Sequence, residues 1–408
     1  MESRPLLAGA LVLAALALTA CATPFRLDAV PAQVTSSVGI FGIENARYYI
    51  DADGIAAMNK EARAALDRER RVLGGKPLPP ATYLALSGGG DDGAYGAGLL
   101  VGWTARGTRP EFKLVTGIST GALSAPFAFL GPAYDTHLRQ IYTETNAGDI
   151  FAARPMISAA LANDAMADSK PLHQMILRLL DDRMVEAIAA EYRKGRLLLV
   201  MTTNLDAGRP VIWNIGAIAA SGHPRARELI AKVLLASASI PAAFPPVLFD
   251  VEYDGAPYQE MHVDGGAIAQ SFLYPPALTS GGAPKRKRTA YIIRNGRLGV
   301  PWKQVERETL AIAGRAVSTL TASSGVDDLY RIYATTRRDG VDFNVAYIDD
   351  DFTVAYVGPF NQAYMNSLFN YGYEKGRTGS PWHKVPPGYS RSSVGPRSNP
   401  QPHLAGIF

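Results

Sequence analysis

A serine between two glycines, at residues 117–121, constrains the fold of this chain more than any other feature. The segment reads Gly-Ile-Ser-Thr-Gly, so Ser119 stands between Gly117 and Gly121 in a G-x-S-x-G pattern. The apolar run 112–116 predicts a strand before the motif, and residues 122–128 predict the start of a helix after it. A turn this tight favours glycine on both sides and lifts the serine hydroxyl clear of the sheet. The pattern therefore predicts a nucleophile elbow, with an ordinary Gly/Ser turn as the alternative.

Length and composition are those of a globular protein with a substantial core. The chain has 408 residues, of which 47% are hydrophobic and 19% charged. The formal net charge of +4 is small for this length, and aromatic and basic residues do not alternate, so we expect no nucleic-acid partner. Because the sequence clusters no histidine, cysteine and carboxylate residues at metal-ligand spacing, we also expect no metal and no organic cofactor.

The N-terminus predicts export and a lipid anchor. Arg4 precedes an apolar run, Leu6–Leu18, that is too short to span a bilayer comfortably and ends in small residues, as a secretory signal does. The run leads into Leu-Thr-Ala-Cys, which resembles the lipobox of bacterial lipoproteins, and Cys21 is the only cysteine. We expect a lipidated Cys21 in the bacterial cell envelope, at the outer membrane by resemblance, because Ala22 is not an aspartate. The alternative is a plain signal peptide with a chance cysteine.

Composition and apolar periodicity divide the chain into four segments. Residues 1–20 are predicted as the signal peptide, 21–80 as a tether with an N-terminal helix, and 81–376 as the main domain. Residues 377–408, rich in Pro, Gly, Ser and Arg, are predicted to be a disordered tail. Within the main domain, strand-like and helix-like segments alternate, which predicts an α/β layer fold with a mostly parallel sheet.

A glycine-rich loop follows the first predicted strand of that domain, 82–87. Its glycines also fit the G-x-G-x-x-G dinucleotide fingerprint, but the next strand runs into the elbow instead of ending in an acidic residue for the ribose. Asp91 and Asp92 would also repel a pyrophosphate. Successive N–H groups without side chains form a nest for an anion, so beside a nucleophilic serine the loop predicts an oxyanion hole. The candidate donors are Gly88, Gly89, Gly90 and Gly93, and close helix–strand packing is the alternative role of these glycines.

A candidate base for the serine lies far downstream, at Asp264. A serine hydroxyl is a poor nucleophile near neutral pH unless another group accepts its proton. Asp264 ends a strand-like run and is followed by Gly265 and Gly266, which allow close approach of another group. The same Asp-Gly pair is also a common hairpin turn.

The three motifs, in this order, resemble those of the patatin-like phospholipases, a family of lipid acyl hydrolases. The likeness covers roughly residues 82–291 and includes the segments 202–208 and 236–247. The resemblance implies a three-layer α/β fold with a mostly parallel central sheet flanked by helices. It also implies a Ser–Asp dyad without histidine that cleaves carboxylic esters of lipids or phospholipids through an acyl-enzyme. On this resemblance Gly88, Gly89, Gly90 and Gly93 match the oxyanion loop, Ser119 the nucleophile and Asp264 the base.

One position departs from the family pattern. The family usually carries a basic residue just before the last glycine of the loop, where this chain has Asp92. The departure keeps open a catalytically weak or inactive envelope lipoprotein that binds lipid. A basic run, Lys285–Arg288, is either a solvated loop or a contact for anionic lipid headgroups. No protein partner is predicted.

A Ser-His-Asp esterase is the remaining alternative. With Asp264 as the acid, only the tail residues His383 and His403 follow it in the order of an α/β-hydrolase triad. An earlier acid such as Asp206 would admit His223 or His262. Because His262 lies two residues before Asp264 on a strand, both side chains point to the same face.

Overall fold

The computed structural model describes residues 25–153, 165–278, 286–300, 302–379 and 381–389. The predicted signal peptide 1–20, Cys21 and residues 390–408 of the predicted tail lie outside these ranges. No helix among the described residues is long and apolar enough to cross a membrane.

A nine-stranded sheet forms the centre of the molecule. The strands, including a small separate pair (β4 and β5), are β1 Arg47–Tyr49, β2 Ala81–Leu86, β3 Leu114–Gly117, β4 Ala152–Ala153, β5 Ala167–Asp168, β6 Leu197–Asn204, β7 Arg209–Asn214, β8 Val247–Tyr253, β9 Ala256–Asp264, β10 Arg288–Ile293 and β11 Asp342–Ala346. The strands β6, β3, β2, β10 and β11 are consecutive neighbours and run parallel. Antiparallel β7 and β1 extend the sheet beyond β6, and the β8–β9 hairpin pairs with β6 through β9.

Helices cover both faces of the sheet. They are α1 Ala52–Leu73, α2 Gly93–Ala105, α3 Thr120–Leu130, α4 Asp135–Thr143, α5 Ala147–Ile150, α6 Lys170–Leu179, α7 Asp182–Arg193, α8 Ile215–Ala220, α9 Ala226–Ser237, α10 Thr309–Asp339 and α11 Gln362–Thr378. Alternate strand residues enter two cores: Leu84 and Leu86 pack with α2, α3 and α11, whereas Ala85 packs on the other face with α1 and α10. Burial on both faces explains why the parallel strands read as continuous apolar runs. The predicted α/β fold with a mostly parallel central sheet flanked by helices is confirmed.

The structure differs from two predicted boundaries. In the segment 21–80, β1 pairs with β7, so these residues are part of the sheet and not only a tether with a helix. At the other end, α11 continues to Thr378, and the next described residues pack on the domain: His383 bridges Val345, and Trp382 lies against Trp103. The predicted start of the tail at residue 377 is therefore too early. Aromatic contacts hold the segment around Trp382 on the domain, although its composition resembles that of a disordered chain.

Candidate active site

Ser119 lies in a sharp turn at the carboxyl end of β3, directly before α3. It has φ +55° and ψ −127°, in a region that residues with a side chain rarely adopt. A Cβ atom on Gly117 would lie 2.5 Å from the Gly121 carbonyl oxygen, and one on Gly121 would lie 2.3 Å from the Leu86 carbonyl oxygen. Both glycines are therefore required by close backbone contacts, as an elbow between strand and helix demands.

The Ser119 side chain is nearly enclosed and faces a carboxylate. It is 6% exposed, and its hydroxyl is close enough to the Asp264 carboxylate to lower the pKa of that group. The Ser119 N–H donates to Ser237 Oγ at 3.0 Å, and the Ser237 hydroxyl donates to the Met201 carbonyl oxygen at 2.7 Å. The fold thus brings together two residues that are far apart in the sequence and fixes the backbone of the serine from a third segment.

Asp264 is the last residue of β9, where it pairs with Thr202 of β6. Its N–H donates to the Ser239 carbonyl oxygen at 2.9 Å, and its Oδ1 accepts from the Gly266 N–H at 2.7 Å. Burial raises the pKa of Asp264 to about 7, against the opposing effect of the hydrogen bonds from Ser119 and Gly266. A carboxyl group with this pKa gains and loses a proton near neutral pH, as a general base requires.

The glycine loop after β2 leaves two N–H groups free. Gly88 donates to the Gln270 carbonyl oxygen at 2.9 Å, and the Gly93 N–H bonds to the Gly90 carbonyl oxygen. Within the described part of the chain, the N–H groups of Gly89 and Gly90 have no acceptor. Only these two of the four predicted donors are available to an oxyanion.

Gly88 and Gly93 serve packing instead, which corrects their predicted role as oxyanion donors. A Cβ atom on Gly93 would lie 2.2 Å from Thr120 Oγ1, and one on Gly88 would lie 3.3 Å from the Ser119 Cβ. A Cβ atom on Gly89 would lie 1.9 Å from the Asn295 carbonyl oxygen. The loop can thus approach β10 and the elbow only without side chains.

The two loop aspartates point away from the serine. Asp92 accepts from the Tyr364 hydroxyl at 2.8 Å, and Asp91 accepts from the Phe360 N–H at 3.0 Å. Burial raises the pKa of Asp92 to about 7. The aspartate that replaces the family's basic residue therefore ties the loop to α11 and contributes a second group that titrates near neutral pH.

His262 belongs to a polar network behind the site. It is fully buried, with Nδ1 2.8 Å from Thr202 Oγ1 and Nε2 3.1 Å from Glu260 Oε2. Glu260 in turn pairs with Arg47, whose Nη2 lies 3.0 Å from Glu260 Oε1. Both ring nitrogens of His262 are thus occupied by partners other than Ser119, and burial lowers its pKa.

The other histidines that the triad alternative could use also lie against other groups. His223 Nδ1 accepts from the Arg225 N–H at 3.2 Å, and its ring stacks on Phe41. His383 stacks on Tyr347. His403 lies outside the described residues. Across the described ranges, no three His, Cys, Asp or Glu side chains are grouped as metal ligands.

An apolar cavity lies along the helix that follows the nucleophile. Leu123 of α3 lines it, one helical turn beyond Ser119, together with Phe127, Met175 and Leu234. Ser237 and Gln270, which hold the elbow and the glycine loop, carried no signal beyond the resemblance of the segment 236–247.

Comparisons with known proteins agree with this geometry. Residues 84–276 match the family model described as patatin-like phospholipase. A search of curated proteins finds no match.

Two solved structures resemble the chain at low similarity. VipD from Legionella pneumophila is 12% identical with a TM-score of 0.31, over 74% of this chain and 67% of VipD. Human GIVD cytosolic phospholipase A2 is 11% identical with a TM-score of 0.33, over 79% of this chain and 54% of the human one. At these scores only the family model supports a family likeness, and the matched residues 84–276 include both Ser119 and Asp264.

Proposed function

We propose that this protein is a lipid acyl hydrolase that cleaves carboxylic esters through a Ser119–Asp264 dyad. The observation that carries the proposal is the placement of the Ser119 hydroxyl beside a buried carboxylate, Asp264, whose pKa is raised to about 7. The elbow geometry of Ser119 and the unpaired N–H groups of Gly89 and Gly90 support it. The family match supports a lipid substrate broadly.

In the proposed reaction, Asp264 accepts the hydroxyl proton while Ser119 Oγ attacks the ester carbonyl carbon. The N–H groups of Gly89 and Gly90 stabilise the oxyanion of the tetrahedral intermediate. When the intermediate collapses, the ester C–O bond breaks, Asp264 returns the proton to the leaving alcohol, and an acyl-enzyme remains. Water then attacks the acyl carbon and gives its proton to Asp264, and the second collapse releases the fatty acid and restores the serine.

A catalytically weak lipid-binding protein is the second candidate function. Asp92 favours it, because a carboxylate in the glycine loop opposes a developing oxyanion when it is ionised. A Ser-His-Asp esterase is less well supported, because both ring nitrogens of His262 already have partners.

We also propose that Cys21 is lipidated and holds the protein at the bacterial outer membrane. The lipobox-like sequence before Cys21 supports the anchor. The first described residue, Phe25, follows Cys21 by four residues in the sequence and is 87% exposed.

A fluorophosphonate probe tests the enzyme directly. We expect the purified wild type to be labelled on Ser119, and Ser119→Ala to lose labelling and at least about a thousandfold of ester hydrolysis. Ser124→Ala is the matched control, because Ser124 is also buried in α3 but bonds to Tyr142. If the folded wild type neither reacts with the probe nor hydrolyses esters, the lipid-binding alternative holds. If the wild type is active, a comparison of lipid profiles between membranes exposed to wild type and to Ser119→Ala identifies the headgroup and acyl chain that it cleaves.

A further inference from the structure

The first half of α10 places none of its described side chains in the core of the domain. From Thr309 to Ser324, leaving aside the side chain of Leu310, no residue is buried; the first buried position is Gly325. The second half is different, because Leu329, Ile332 and Tyr333 enter the core under the sheet. Since helices in proteins are stabilised mainly by packing of one face, the exposed half requires another surface to cover it.

The exposed half projects past the edge of the sheet that carries the active site. At the far end of α10, the Asp339 carbonyl accepts from Arg288, the first residue of β10. Midway along, the Asp328 carboxylate accepts from the Gln270 and Ser271 N–H groups, shortly after Asp264. The Ala322 carbonyl accepts from Arg294, just beyond the carboxyl end of β10. Residues 309–321 therefore extend about 20 Å beyond the carboxyl ends of the strands.

This projecting half is nearly uncharged and exposes several aliphatic side chains among serine, threonine and alanine residues. Ile312, Val317 and Leu320 are 53%, 61% and 70% exposed, and Trp302 just before the helix is 89% exposed. Arg315 is the only charged residue in 309–324. An exposed tryptophan beside exposed aliphatic residues is typical of a segment that lies in a membrane interface.

Two further observations place a bilayer at the same edge. The chain enters the domain there, because Arg26 pairs at 2.8 Å with Asp206, which follows the carboxyl end of β6. Cys21, the proposed site of lipidation, precedes Phe25 by four residues in the sequence. The segment 302–324 carries three cations and two carboxylates, so its net charge does not oppose an anionic surface.

We propose that Trp302 and the exposed half of α10, residues 309–324, form a bilayer-contacting surface that holds the active-site edge against an anionic phospholipid membrane. The proposal rests on the proposed function and extends it, because it specifies that the substrate of the active site is lipid assembled in a membrane. The basic run at the opposite edge is a weaker candidate, since Arg286 already pairs with Glu69 at 2.9 Å and Arg288 with the Asp339 carbonyl.

The test uses the full chain carrying Cys21→Ser, so that a covalent lipid does not dominate binding. Vesicles of phosphatidylethanolamine and phosphatidylglycerol are the probe, and flotation measures the bound fraction. We expect Val317→Glu with Leu320→Glu to lower vesicle binding at least tenfold. Val72→Glu is the matched control: Val72 is 62% exposed, close to the 61% of Val317, but lies near the end of α1, where Glu69 contacts Lys113 and Arg286 at the opposite edge.

Two readouts separate this proposal from the proposed function. Hydrolysis of vesicle lipid should fall with binding, whereas hydrolysis of a water-soluble short-chain ester should stay within twofold. The emission of Trp302 should shift to the blue on vesicles, and Trp302→Phe should remove that shift, because Trp103 and Trp213 are buried and Trp382 is half-buried.

Unchanged vesicle binding by the double variant would overturn the proposal. So would a wild-type dimer that the double variant converts to a monomer without loss of vesicle binding, since a second copy would then cover α10. If binding falls as expected but neither substrate is hydrolysed by any variant, the surface stands and the proposed hydrolase fails.

Discussion

At the scale of single residues, the protonation of Asp264 sets the expected pH dependence of the reaction. The base must be ionised, and burial raises its pKa to about 7. We therefore expect kcat/KM to rise about tenfold per pH unit below pH 7 and to level off above pH 8. Asp92 also titrates near 7, so Asp92→Asn is the control. If the inflection near pH 7 is present in wild type but absent in Asp92→Asn, the titrating group is Asp92 and not Asp264.

The same raised pKa makes Asp264 costly for folding at high pH. The folded state holds a proton on this carboxyl up to about pH 7, whereas the unfolded chain releases it near pH 4. The free energy of unfolding therefore falls as the pH rises from about 4 to about 7. Asp264→Asn removes the charge but keeps the shape. We expect it to raise the free energy of unfolding by about 2–4 kcal/mol at pH 8 and by much less at pH 4.5.

Chemical denaturation of wild type and Asp264→Asn at both pH values measures this difference. Other buried carboxyls, including Asp92, are present in both proteins and cancel in the comparison. A variant that is less stable than wild type at pH 8 would mean that the carboxylate is stabilised by its hydrogen bonds more than it is penalised by burial.

At the scale of secondary-structure elements, the pairing of β9 with β6 places Asp264 and is backed by the buried network of Arg47, Glu260, His262 and Thr202. His262→Ala leaves Glu260 and Thr202 each without one partner. We expect a loss of about 3 kcal/mol in the free energy of unfolding. The dyad predicts that the folded fraction still reacts with a fluorophosphonate at a substantial rate. A folded His262→Ala protein as unreactive as Ser119→Ala would instead support a histidine-dependent mechanism.

Local sequence signals predicted the elements that flank the site, because each carries its own turn chemistry. The β8–β9 hairpin turns at Asp254 and Gly255 as the Asp-Gly pair predicts, and the elbow glycines lie where backbone contacts exclude a Cβ atom. The sequence predicts a helix around residues 303–323, whereas α10 runs from 309 to 339. Buried residues in the second half of α10, such as Leu329 and Ile332, stand among charged residues in the sequence. The apolar periodicity therefore does not predict that the helix continues to residue 339.

Long-range hydrogen bonds could not be predicted from the sequence. The Gly88 N–H bonds to the carbonyl of Gln270, which removes one of the four predicted donors. The Ser119 N–H bonds to Ser237, whose hydroxyl is fixed by Met201. Each of these contacts joins segments far apart in the chain, and glycine spacing alone carries no information about the partner.

At the scale of the whole molecule, three features share the carboxyl edge of the sheet: the active site, the exposed half of α10 and the entry of the chain at Phe25. If Cys21 carries the lipid, Cys21→Ser should abolish incorporation of labelled palmitate when the chain is produced in a bacterial host. Because the exposed half of α10 would still contact the bilayer, we expect only partial release into the soluble fraction. Adding Val317→Glu to Cys21→Ser should complete the release, whereas adding Val72→Glu should not. Two outcomes would mean that another segment holds the protein at the membrane. One is palmitate incorporation that persists in Cys21→Ser. The other is a variant with Cys21→Ser, Val317→Glu and Leu320→Glu that stays fully in the membrane fraction.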